Sequence, residues 1–126
     1  MTEPFRGNTR APSGGDQPVP RALERARALF ESRLEEQILC IEQCRRDVAA
    51  GHAPDRALSE IAAQAHKIAG VAGTVGHTQL GELSATVETL IGQARNEGLA
   101  EEAILKGLHD DLEQMLDALE AALFDG

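Results

Sequence analysis

LSEIAAQAHKIAGVAGTVG, residues 58–76, sets Leu58, Ile61, Ala65, Ile68, Ala72 and Val75 at successive intervals of 3, 4, 3, 4 and 3. Alternating steps of three and four hold six apolar side chains on one side of an α-helix, because the helix turns once every 3.6 residues. A stripe of that width is the seam of a helix packed in a bundle. Pro54 and Asp55 suit the first turn of this helix, and Gly76 marks its end.

The segments on either side repeat the pattern. Before it, Leu34, Ile38, Ile41, Cys44 and Val48 predict a helix that Gly51 closes. Ser32 with Glu35 forms an S-x-x-E capping box that would start this helix, separating it from a shorter one that opens at Pro20 and carries Leu23, Ala26 and Phe30. After it, Thr78 is a candidate N-cap for a helix with the stripe Leu80, Leu83, Val87, Leu90 and Ala94. A turn at ARNEGL leads to a last helix with Leu105, Leu108, Leu112, Met115, Leu119 and Leu123. Short links between long helices require antiparallel neighbours. The predicted fold is all-α: an antiparallel up-and-down four-helix bundle with a short extra N-terminal helix. Residues 20–126 form this domain, and residues 1–19, with proline and glycine but no apolar period, read as a flexible tail.

Composition narrows the function. The chain has no Trp or Tyr and only three Phe among 126 residues, so its core must be aliphatic, which suits helix-on-helix packing. Twelve Lys and Arg against 21 Asp and Glu leave a formal charge of −9, which repels nucleic acid and anionic membranes. No signal peptide or apolar span appears, and the expected setting is the cytoplasm, with the chain acting as a monomer. Cys40 and Cys44 lie four apart with no second pair to complete a metal site, and read as reduced, partly buried thiols. No metal or other cofactor is expected on the chain.

His66 interrupts the pattern. At about 100° per residue it lies roughly 130° from the mean direction of the six stripe residues, and so faces outward. Its neighbours on the helix surface are Ala62, Ala63, Ala69, Gly70 and Gly73, none large enough to shield an imidazole. Gly70 and Gly73 each cost about 0.5–1 kcal/mol relative to alanine inside a helix, and structure alone gives no return for that. Phosphoryl transfer does. With histidine's ordinary pKa of about 6.5, an exposed ring is mostly an unprotonated nucleophile at neutral pH. In-line transfer then needs donor and acceptor to approach the phosphorus from opposite sides, and small neighbours leave the space. Lys67, on a flexible stem next to His66, is the nearest counter-charge for the arriving phosphoryl group.

The run A-H-K-I-x-G-x-A-G-x-V-G from Ala65 to Gly76, followed by Leu80 and Leu83, resembles the histidine-containing phosphotransfer (HPt) domain family. The resemblance covers about residues 22–123, with the specific motif in residues 65–83. It implies that His66 takes a phosphoryl group from a receiver-domain aspartate, or from a sensor or hybrid histidine kinase, and passes it to another receiver. It also implies that Gly70 leaves room beside the phosphohistidine, that Gly73 and Gly76 stand where the helix packs closely and ends, and that Mg²⁺ sits on the partner receiver. The chain would have no ATP site and would be a carrier rather than an enzyme. One position departs from the family: Ala69 stands where many members carry a lysine that holds the phosphoryl oxygens.

Other readings account for less. Receiver docking is expected over Ala62, Ala63, Ala69, Gly70 and Gly73, with Gln64 and Gln79 as further candidates for hydrogen bonds to the phosphoryl group or the partner. A di-iron bundle requires Glu-x-x-His pairs, and no Glu stands three residues before His52, His66, His77 or His109. His52, His77 and His109 are assigned no function. A non-phosphorylated adaptor with the same fold, binding receivers or kinases, is the alternative, and Ala69 is the residue that favours it.

Overall fold

The helix that carries His66 starts at its expected place and the six stripe residues are buried, but it ends at Ala72, and Val75 lies in the turn that leads to Gly76. The computed structural model describes residues 20–125, and the tail reading of residues 1–19 lies outside them. Among the described residues all regular structure is helical: α1 (Arg21–Ser32), α2 (Leu34–Ala50), α3 (Pro54–Ala72), α4 (Thr78–Asn96), α5 (Glu101–Gly107) and α6 (His109–Asp125). Helix α3 packs on α2 and α4, and α6 packs on the same two, so these four helices close a ring around one aliphatic core. None of the described helices is long and apolar enough to cross a membrane.

Local chemistry explains the boundaries, including those that differ from expectation. The predicted stripe of α2 is wholly buried, and Gly51 closes the helix at φ 75°, with the His52 N–H donating to Asp47 O at 2.8 Å. The capping box at Ser32 and Glu35 does not form. Ser32 Oγ instead donates to Leu29 O at 2.7 Å, a carbonyl of its own last turn, and the chain bends at Arg33 with no side-chain cap. Thr78 is likewise the first residue of α4 rather than its cap. His77 holds the cap position without a side-chain bond and stacks on Phe30, with ring centroids 5.4 Å apart. Beyond α3, Gly76 adopts φ 99° and the His77 N–H reaches Ala72 O at 2.7 Å, closing the turn in the manner of a Schellman motif. Arg27 of α1 donates from Nε to Val75 O at 3.2 Å and so ties α1 to this turn.

Two further corrections concern the second half. The single last helix divides at Leu108, beside Gly107, into α5 and α6. Ile104, Leu108 and Leu112 stay buried across the bend at steps of four, while Leu105 and Leu123 are only partly buried. In α4 the buried line is Leu80, Ser84, Val87 and Ile91, with Leu83, Leu90 and Ala94 beside it, so the helix is rotated from the expected stripe. The rotation buries the Ser84 hydroxyl completely, and its Oγ has no hydrogen-bond partner. A buried hydroxyl without a partner costs about 1–3 kcal/mol. Ser84→Ala should therefore raise stability by about 1 kcal/mol, seen as a higher Tm in thermal unfolding. A lower Tm would mean that the hydroxyl has a partner.

Candidate functional site

The site is built on the seam between α3 and α4, which three contacts hold in register. Gly81 lies against α3 so closely that a Cβ there would stand 3.4 Å from Gly73 N and 3.6 Å from Ala72 Cβ. Seven residues on, Glu88 Oε2 is 2.8 Å from His66 Nδ1. Seven further, Arg95 Nη2 donates to Ser59 Oγ at 2.9 Å and to Asp55 Oδ1 and O at 3.1 and 2.9 Å. Each step of seven along α4 meets a step of seven back along α3, from Gly73 to His66 to Ser59. Seven residues are two helical turns, so all three contacts fall on one edge of each helix.

His66 stands on this edge with its side chain 74 % exposed. Ala63, Gly70 and Gly73 beside it are exposed, and a Cβ added at either glycine would meet nothing within 4 Å. The clearing predicted around the ring is present on that side. It continues onto α4, where Ala85 and Gly92 flank Glu88 and are also exposed. Ala62 and Ala69 are half-buried on the α4 side and form the base of the groove rather than its open floor. The close packing that the resemblance places at Gly73 is made from the other helix: it is Gly81 that has no room beyond a methyl group.

The remaining candidates are spread around α3. Lys67 is exposed and leaves the helix on its α2 side, where its charge acts on the Cys40 thiol. Gln64 also turns toward α2, donating from Nε2 to Glu60 Oε2 at 2.7 Å, and the Cys40 thiol donates to the same oxygen at 3.8 Å. Gln79 sits in a shallow depression between α4 and α6 with Leu83, Gln114, Asp117 and Ala118. Neither glutamine joins His66. Cys40 and Cys44 are free thiols, and burial raises both, Cys44 to about 12. Neither is a competing nucleophile at neutral pH. Among the described residues no three His, Cys, Asp or Glu side chains are grouped to hold a metal ion.

Glu88 is the residue that sequence reading missed. It lies 22 positions from His66, and only the register of the α3–α4 pair brings them together. The signal available was the spacing Gly81, Glu88, Arg95, which marks one edge of α4 once its orientation is known.

The model of the Hpt domain family matches residues 23–122, and the chain belongs to that family. Its members are phosphocarrier modules of phosphorelays that meet receiver domains and kinases. Comparison with curated proteins gave no significant match, and comparison with solved structures gave none either.

The seam makes its own prediction. Gly81→Ala should raise stability by up to about 0.5–1 kcal/mol, because a methyl group just fits and alanine favours the helix, whereas Gly81→Leu should cost about 1–3 kcal/mol by overpacking. Urea unfolding of the two variants measures both values, and equal values would show that the helices are not in close contact at this point.

Proposed function

We propose that this chain is a phosphorelay carrier that accepts a phosphoryl group on His66 Nε2 from a receiver-domain aspartate or a histidine kinase and delivers it to another receiver aspartate. The observation that carries the proposal is the exposed imidazole whose Nδ1 faces the Glu88 carboxylate at 2.8 Å. A carboxylate can only accept, so Nδ1 carries the proton of the neutral ring and Nε2 keeps its lone pair, directed away from Glu88. In transfer from an acyl phosphate, that lone pair attacks phosphorus in line, the bond from phosphorus to the aspartyl oxygen breaks, and the carboxylate leaves.

The surroundings support each requirement. Gly70 and Gly73 leave the flank of the ring open, and Ala63 extends the low floor on which a receiver docks. Ala62 and Ala69 contribute the edge of that floor nearest α4. Lys67 reaches the phosphoryl oxygens by swinging its stem across Gly70, the role left open by alanine at position 69. Mg²⁺ belongs to the receiver, and this chain supplies neither ATP site nor metal. The ring of α2, α3, α4 and α6 is read as the antiparallel up-and-down bundle, acting as a monomer in the cytoplasm. Gln64 and Gln79 lie outside the docking floor in this reading. The adaptor alternative draws on Ala69 alone, whereas Glu88 directed at Nδ1 favours the carrier.

Incubation with a phosphorylated receiver and Mg²⁺, read by intact mass, tests the proposal. The wild type should gain one acid-labile, base-stable phosphoryl group, and His66→Gln should gain none while keeping its helical circular dichroism. Gly70→Leu, which places bulk beside the ring, should slow transfer by about tenfold or more. Phosphorylation of His66→Gln, or transfer to Gly70→Leu at the wild-type rate, would contradict the assignment of the site.

A further inference from the structure

The Glu88 contact has a consequence after phosphorylation. When the neutral ring attacks through Nε2 its Nδ1–H stays in place, so the product is a phosphorylated imidazolium with a positive ring beside a carboxylate at hydrogen-bonding distance. Delivery reverses the charge without moving a proton. An acceptor oxygen attacks phosphorus, the P–Nε2 bond breaks, its electron pair returns to Nε2, and the ring leaves as neutral imidazole with Nδ1–H unchanged. If the Nδ1 proton is lost first, the leaving group is an imidazolate, a far stronger base and a poor leaving group.

We infer that Glu88 is a positioning residue that keeps phosphorylated His66 protonated at Nδ1, so that the carrier stays a competent donor at pH values where an unpaired phosphohistidine loses that proton and stops transferring. This deepens the carrier reading and rests on it. Among the described residues the ring bonds to no charged group but Glu88. From α4 the facing carboxylate is Glu88. Along the same groove Arg95 and Asp55 lie two turns away and are paired at 3.1 Å. On α3, Lys67 starts on the α2 side, where Glu60 is bonded to Gln64 and Cys40, and when it swings across Gly70 it meets the phosphoryl oxygens rather than Nδ1. Position 69, one turn from His66, is alanine, which leaves Lys67 as the ammonium group for the phosphoryl oxygens.

The sign is direct. A carboxylate at Nδ1 favours the charged ring, so the pH at which donation fails moves up, and removing the carboxylate moves it down. The test uses chemically phosphorylated protein and requires no receiver. Wild type and Glu88→Gln are labelled with phosphoramidate, the P–N bond of the reagent breaking with loss of ammonia, and release of inorganic phosphate is followed from pH 6 to 10. In the release step water attacks phosphorus, the P–Nε2 bond breaks, and water's proton passes to buffer. The wild-type profile should fall at a pH at least about half a unit above that of Glu88→Gln, giving about threefold faster release at pH 8.5. Circular dichroism reports whether the variant is folded, and the Glu88 side chain, 39 % exposed, has no core role to lose. Coincident profiles in folded, labelled proteins would overturn this inference alone. Failure of phosphoramidate to label His66 would overturn the carrier reading with it.

Discussion

The close approach of α3 and α4 at Gly81 is the constraint on which the rest of the site depends. Position 81 has room for no more than a methyl group, so the two backbones come within reach of each other at Gly73, and the Arg95 contacts with Asp55 and Ser59 fix the other end. Between these two points one register is available, and it sets Glu88 opposite His66. The same approach turns α4 so that Leu80, Ser84, Val87 and Ile91 enter the core, at the expense of burying one unpaired hydroxyl.

A catalytic cleft is absent from this account because the chemistry assigned to the chain requires none of its features. Phosphoryl transfer between proteins needs a nucleophile that a partner can reach from above and a surface flat enough to let the partner close over it. An exposed ring, with exposed Ala63, Gly70 and Gly73 on one side and Ala85 and Gly92 on the other, meets both needs. In the proposed reading the chain contributes the position of the ring and the Glu88 contact at its Nδ1.

The parts of this structure legible in the sequence are those governed by short spacing. The stripes of α2 and α3, the glycine at the end of α2, and the exposure of His66 follow from a period of 3.6 residues and from the conformational range of glycine. What depends on distant parts of the chain was less visible. Leu83 and Leu90 fit a helical stripe as well as Ser84 and Ile91 do, and only packing against both α3 and α6 decides between them. The bend at Leu108 keeps apolar steps of four on either side, so the pattern runs through it unbroken. Ser32 satisfies a capping rule that its own preceding turn outcompetes. Glu88 reads as one more acidic residue on a soluble helix until the register of two helices is known.

In a carrier of this kind the phosphoryl group resides on one nitrogen of one residue. Nitrogen and phosphorus NMR of the ¹⁵N-labelled chain, phosphorylated by a receiver, observes this directly. Phosphorus should be bonded to Nε2 of His66, with Nδ1 still carrying its proton. Phosphorus on Nδ1, or on any other residue, would contradict it.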